Sequence, residues 1–403
     1  ACCIFVNRYG LHVVVYHNSD AGPAAIEACC HRFEILGEDI AMKLKNRIRF
    51  GWQEFRSVVR NEYKYIFKDE GIILVLVIAL ILYSTVYSYA YKNQVLRNIP
   101  IGVVDMDHSD ASRSLSELFD AGASTFVAYN PESMAEAEDL FFARKIYGIV
   151  YIPEGYEKDV LGGITTHVGV YVDASYFLMY RNVFAEVVSG VNLTGVSIEF
   201  NRLVAGGVNT PTAEVVSQPV IFEAHSLFNP YLGYGTFVMP IIIMVIIQQT
   251  LLIGIGMIGG SWREFGLYRT LALPGRRRLS MMPIVLGKSL VYASIYAVTM
   301  TYILGFHYVM FDYPMNGRLT TIVAFLVPYV FACIFMGIAV STLFRYRENS
   351  LLLMLWTSIP VLMLTGASFP GESIPHWLML LGKIFPSSSG ADGFIRIQTT
   401  GAS

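Results

Sequence analysis

Polar residues with chemical potential gather at four places in this chain. Asp105, Asp107, His108 and Asp110 are the densest group, and carboxylates beside an imidazole are donors for a divalent cation. The same residues also describe a strand end followed by a helix cap, where Asp and Ser satisfy free backbone amides, and this second reading is preferred, with no metal assigned. Gly287-Lys288-Ser289 matches the tail of a phosphate-binding loop, but Met282 stands where G-x-x-x-x-G-K-S needs its first glycine, and the tripeptide lies in an apolar segment rather than between strand and helix. ATP is not bound by that route. Gln248, Gln249 and Thr250 sit deep in an uncharged run, where amides need partners on another helix or in a wet cavity; both a helix contact and a substrate path fit them. The fourth place is the segment 262–280, with Trp262, Arg263, Glu264, Phe265, Gly266, Tyr268 and Arg269 followed by Pro274-Gly275-Arg276-Arg277-Arg278. A connector needs about two to eight residues, so a longer basic and aromatic one reads as a docking surface for a partner, with headgroup binding by the arginines as the plainer account. No hydrolytic triad, zinc signature or dinucleotide fingerprint appears in the sequence, and the chain is not expected to be an enzyme.

The elements that carry these residues divide into two populations. No charge occurs from Gly71 to Tyr91, a stretch that makes a helix of about 30 Å, enough to cross a bilayer once. Charges return from Lys92 to Glu223, then vanish again from Ser226 to Trp262. Overall 54% of residues are hydrophobic and 15% charged, against about 25% charged in soluble domains. The net charge of −2 and the lack of a basic face argue against nucleic acid. We expect spans at 71–91, 231–258, 281–309, 319–343 and 351–369, and a semi-polar segment at 366–390 that dips into the outer leaflet. Lys288 lies in the third span, near its end, and its stem is expected to carry the ammonium back to the interface.

Between spans one and two, residues 92–228 alternate strand and helix: strand 99–105, helix 109–120 capped by Ser109, strand 125–129, and helix 131–144 opened by Pro131. Strand 147–152, a short helix 154–161 ended by Gly162 and Gly163, strand 168–173 and a long helix 176–205 follow. This pattern predicts a small α/β domain with a central sheet. Residues 42–70 form an amphipathic helix, with Ile48, Trp52, Phe55, Val59 and Ile66 as its apolar face and basic residues between them; it belongs on the membrane surface. Residues 1–41, which hold Cys2, Cys3, Cys29 and Cys30, read as a non-native or unstructured extension before Met42. The fifth cysteine, Cys333, lies in a span and the inserted domain has none, so no disulfide braces it.

Basic residues fix the expected orientation. Lys43, Lys45, Arg47, Arg49, Arg56, Arg60, Lys64 and Lys68 precede span one, five arginines follow span two, and Arg345 and Arg347 follow span four. The positive-inside rule puts all three clusters in the cytoplasm and residues 92–228 outside.

Motifs in fixed order make the chain resemble the permease subunits of type-two ABC exporters, in the branch with a large external domain after the first span. They are Arg60-Asn61-Glu62, Ile101-Gly102-Val103-Val104-Asp105, Tyr151-Ile152-Pro153-Glu154-Gly155-Tyr156, Tyr171-Val172-Asp173 and Phe228-Asn229-Pro230. Arg263-Glu264 with Pro274, Leu286-Gly287-Lys288, and Thr365-Gly366, Phe369-Pro370 and Ile374-Pro375 complete the series. The resemblance implies an α-helical polytopic membrane protein with an inserted α/β extracytoplasmic domain, in the bacterial inner membrane with its N-terminus in the cytoplasm. It implies a coupling helix at Trp262–Arg269 seated in a separate ABC ATPase subunit, which holds ATP and magnesium while this chain binds no cofactor. It further implies pairing with a second permease, homo- or heterodimeric, through spans two and five, and contact with membrane lipids, and it leaves open the use of a periplasmic adaptor. Gly366, Phe369, Pro370 and Pro375 would form the outer re-entrant turn, and a sixth span would follow Ser403. Phe265-Gly266-Leu267-Tyr268 departs from the family's glutamate-glycine-threonine pattern. The expected function is alternating-access export of a lipid, drug-like or polymer substrate. A membrane-anchored signalling or scaffold protein, whose external domain binds a ligand or envelope partner, is the alternative.

Overall fold

The computed structural model describes residues 4–6, 12–14, 49–221, 223, 225–229, 232–267, 281–366, 369 and 371–402. The chain divides into two units: residues 1–85, 241–310 and 317–403 form one, and residues 86–240 with 311–316 the other. Near the start, β1 (Ile4–Val6) pairs antiparallel with β2 (His12–Val14); the rest of 1–41, with its four cysteines, lies outside the described residues.

The second unit is the α/β domain. Its strands are β3 (Ile99–Asp105), β4 (Thr125–Tyr129), β5 (Gly148–Ile152) and β6 (Gly169–Val172), in the order β4-β3-β5-β6. β3 runs parallel to β4 and β5, and β6 closes the sheet antiparallel to β5. Alternation along β3 sends Ile99, Ile101 and Val103 to one face and Val104 to the other. On the first face they join Leu115 and Phe119 of α3 (Asp110–Asp120), Tyr156 of α5 (Tyr156–Gly162), and Val183 and Val187 of α6 (Phe177–Ala205). On the second, Val104 and Ile149 meet Ile146 and Ala137 of α4 (Met134–Phe142). α4 starts at its Ser133 cap, whose hydroxyl accepts from Glu136 N, so Pro131 precedes the helix instead of opening it. α5 ends at Gly163, whose φ of +69° is the left-handed conformation that glycine adopts without a Cβ penalty.

The long helix expected over 176–205 forms, and one more helix follows it. α6, at 29 residues, is long and apolar enough to cross a membrane, yet its Val183, Val187 and Gly190 are buried among the sheet domain's core. The helix that follows, α7 (Thr210–Ser217), packs on α6 and is capped by Asn209. The entering and leaving chains are clasped: Gln94 O accepts from Tyr234 N at 2.9 Å and its Oε1 from Thr236 N at 3.0 Å.

The other unit is helical. α1 (residues 49–68) leads through Asp69 into α2 (Glu70–Ala90), followed by α8 (Tyr234–Glu264), α9 (Met281–Met310), α10 (Leu319–Ser341), α11 (Glu348–Leu364), α12 (His376–Gly382) and α13 (Pro386–Gln398). α2, α8, α9 and α10 have the length and composition of spans. α11 has 17 residues, or about 26 Å, shorter than expected, and the segment after it folds into the α12–α13 hairpin. α8 is the hub. Its Gly254 backs on Leu76 of α2, Thr250 Oγ1 shares a 2.6 Å hydrogen bond with Tyr296 OH of α9, Tyr329 OH of α10 donates to Met244 O, and Ser350 Oγ of α11 donates to Ile253 O. The resemblance assigns spans two and five to a dimer contact; α8 is largely enclosed by its own chain, whereas α11 exposes Leu351, Leu352, Leu355, Trp356, Ile359 and Met363. The molecule is a polytopic helical membrane protein carrying an α/β domain.

Candidate functional site: the basic end of the membrane unit

α1 is positioned by a stripe at four-residue spacing. Glu54, Val58, Glu62 and Ile66 are all buried, whereas Trp52, expected on the apolar face, is exposed, as are Phe50 and Phe67. The buried face of this amphipathic helix therefore carries two carboxylates. Glu62 is fully enclosed and accepts from Lys288 Nζ of α9 at 2.7 and 2.9 Å, and from Tyr292 OH, one turn on, at 2.5 Å. Lys288 is only 7% exposed. The ammonium does not return to the interface as expected, because Glu62 meets it inside.

Its remaining side faces the indole of Trp262, 4.4 Å from the ring centroid. Such a contact contributes about 2 kcal/mol or more when desolvated. Tyr65 of α1 packs on the same indole at 5.2 Å. α1, the end of α8 and the start of α9 are thus joined by one buried charge cluster. Leaving one member of a buried pair unmatched costs about 3–5 kcal/mol, so the three elements are held as one piece.

A second tie lies beside it. Asp69 caps α2 by accepting from Ile72 N at 3.2 Å and takes Arg347 at 3.1 and 3.3 Å. Gly260, in the last turns of α8, lies so close to Tyr346 O that an added Cβ would meet it at 2.6 Å; only glycine permits this approach. Gly256, four residues earlier, backs on Ser350 and Phe344. The turn between α10 and α11 is thereby fastened to α8 and to the start of α2.

The expected coupling residues divide at this point. α8 continues without a break to Glu264, and Trp262 is buried in the cluster while Arg263, Glu264 and Phe265 are exposed just beyond it, with Gly266 at φ +64°. Trp262 supports that surface from behind. Tyr268 and Arg269, with the rest of 268–280, lie outside the described residues. Arg263 and Glu264, together with Leu343, Arg345 and Tyr346, line a cleft of about 580 Å³.

Deeper in the unit, Gln248 Oε1 accepts from Ser387 N, at the start of α13, at 2.8 Å, and Thr250 pairs with Tyr296; both make helix contacts. Gln249 is buried with neither amide atom hydrogen-bonded. At the other end of α11, Gly366 (φ +83°) follows the helix, Phe369 is exposed and Pro375 precedes α12; Pro370 lies outside the described residues.

The acidic cluster of the α/β domain works on the backbone. Asp105 accepts from the amides of Asp107 and His108, both at 3.0 Å, and from Ser112 Oγ at 2.6 Å. Asp107 accepts from Gly155 N at 2.7 Å and Glu157 N at 3.0 Å, at the start of α5. Hydrogen bonds from Ser109 and these amides hold its carboxyl below the ordinary value. Among the described residues, no group of three His, Cys, Asp or Glu could hold a metal ion.

Tyr292 and Asp69 carry no signal in the sequence, and Glu62 and Arg347 enter it only as members of the Arg60-Asn61-Glu62 motif and of the basic turn after span four. Glu62 also has a telling position: an acid lying midway, at four-residue steps, between Val58 and Ile66.

Comparison with known proteins bears on the whole chain. It aligns over 353 residues with the inner membrane transport permease YhhJ of Escherichia coli K12 at 24% identity, covering 86% of each chain. Over 333 residues it is 21% identical to the probable multidrug ABC transporter permease YbhR of the same organism, covering 82% of this chain and 85% of that one. The family model described as ABC-2 family transporter protein matches residues 71–403. Covering most of the sequence, including every membrane helix of the fold, that match establishes that the chain belongs to the ABC-2 transporter family, as a permease.

Proposed function

We propose that this chain is the membrane-spanning subunit of an ATP-driven exporter, working with a separate ABC ATPase and a second permease in the bacterial inner membrane. The basic end faces the cytoplasm and residues 92–228 lie outside it. Arg263, Glu264, Phe265 and Gly266, with Tyr268 and Arg269 of the same segment, form the seat for the ATPase, which holds ATP and magnesium.

The observation that carries this reading is the Glu62–Lys288–Trp262 cluster directly behind Arg263. Displacement of the exposed segment would move α8 through Trp262, α9 through Lys288, and α1 through Glu62, because the buried charges cannot separate cheaply. Two permeases responding together would expose an inter-subunit path alternately to either side. One relative's name, a probable multidrug permease, favours a drug-like cargo among the lipid, drug-like and polymer classes.

The test is ATP turnover and substrate movement by the purified complex in proteoliposomes. Phe265→Ala and the pair Arg263→Ala with Glu264→Ala should lower transport-coupled ATPase activity while the permease remains folded. Unchanged turnover with both variants would overturn the proposal.

A further inference from the structure

Two arginines follow α10, and the structure gives them different work. Arg347 is engaged with Asp69. Arg345 has no carboxylate partner among the described residues; its guanidinium lies over the ring of Tyr346, 5.7 Å from the centroid. Beside it Leu343 is 76% exposed in the polar turn where α10 has ended. Gly260 and Gly256 press this turn against α8, so it cannot drift from the exposed segment that begins at Arg263. The cleft between them takes its lining from both sides.

We propose that residues 342–347 are the second half of the ATPase seat, with Arg345, Leu343 and Tyr346 receiving, together with Arg263 and Phe265, an acidic side chain flanked by apolar ones on the ATPase. The inference rests on the proposed function above. Arg263 and Arg345 share the cleft with no carboxylate partner among the described residues, and such guanidinium groups call for a carboxylate, which arginine binds in a planar, bidentate manner. Glu264 lines the same cleft; its negative charge opposes an anionic headgroup but offers a protein partner a contact for its own cation. Exposed Leu343 and Phe265, the latter 68% exposed, supply the apolar flanks that a protein contact buries at its centre.

The test is photo-crosslinking in the full permease–ATPase complex in native membranes, with a benzophenone amino acid at Leu343 or at Phe265. Both positions are expected to crosslink to the ATPase. Arg345→Glu is expected to weaken ATPase retention on washed membranes at least about tenfold, as for loss of one buried charge contact. Crosslinking from Phe265 but not from Leu343 would overturn the inference and leave the proposed function standing. Crosslinking from neither position would overturn both. If Arg345→Glu instead removes co-purified anionic phospholipid and leaves ATPase retention unchanged, the cleft is a headgroup site and the inference fails. Leu343 is exposed, so its substitution does not depend on the fold tolerating a reversed charge.

Discussion

Lys288 and Glu62, 226 residues apart in sequence, meet inside the membrane unit with Nζ 2.7 Å from one carboxylate oxygen and 2.9 Å from the other. Trp262 lies over the cation and Tyr292 donates to the same carboxylate. Each charge is therefore matched, and each is needed by the other more than by the fold at large.

This gives the first prediction. Lys288→Met and Glu62→Leu, made singly, each leave a buried charge unmatched and should destabilise the protein by about 3–5 kcal/mol. The double variant should recover most of that loss while uncoupling ATP turnover from transport. Thermal unfolding of the four proteins in detergent forms the cycle. Additive losses would show that the pair is not coupled.

Gly260 should not accept a methyl group. An added Cβ would meet the carbonyl of Tyr346 at 2.6 Å, and backbone yields less readily than a side chain. Gly260→Ala is expected to destabilise by about 1–3 kcal/mol. Gly305→Ala, where the added atom meets nothing within 4 Å, is the control and should unfold at or above the wild-type temperature.

Gln248 anchors the α12–α13 hairpin through Ser387 N. Removing a buried acceptor leaves that amide unsatisfied at about 1–3 kcal/mol. Gln248→Ala should therefore speed hydrogen exchange in residues 386–392 and leave α10 unchanged. Equal exchange in both proteins would mean that packing alone seats the hairpin.

Asp107 provides a pH-dependent brace in the α/β domain. Its carboxyl is held below its ordinary value of 3.8, first by the Ser109 hydroxyl; burial opposes this, and the amides at the start of α5 add to the lowering. A lowered folded-state value means that the stabilisation is fully present above the ordinary carboxylate range and is lost as pH falls through the folded value. Asp107→Asn should raise hydrogen exchange at Gly155 and Glu157 at pH 7. The difference from wild type should shrink as pH approaches the carboxylate range. A difference independent of pH would assign the effect to geometry alone.

Much of the architecture could be read along the chain. Strand Ile99–Asp105 and helix Asp110–Asp120 with its Ser109 cap follow from alternation and capping chemistry, which act within a few residues. Local signals misled where two local explanations compete. Pro131 is acceptable in a first turn, but Ser133 offers the better cap. Hydrophobic spacing along α1 runs through Trp52, whereas the fold exposes Trp52 and buries Glu54 and Glu62. No property of α1 by itself makes an acid a good interior residue; Lys288 makes Glu62 one.

The sequence by itself determined the uncharged spans, the charged insertion and the basic loops, because transfer of apolar groups out of water is a property of each segment alone. Only the tertiary structure decided that Lys288 stays inside, that Trp262 lies behind the exposed Arg263 surface, and that Arg347 is tied to Asp69 while Arg345 remains free of a carboxylate partner among the described residues. Coulombic and π contacts act over a few ångströms, so they depend on where helices meet, and sequence spacing carries no record of the crossing that brings α1 against α9.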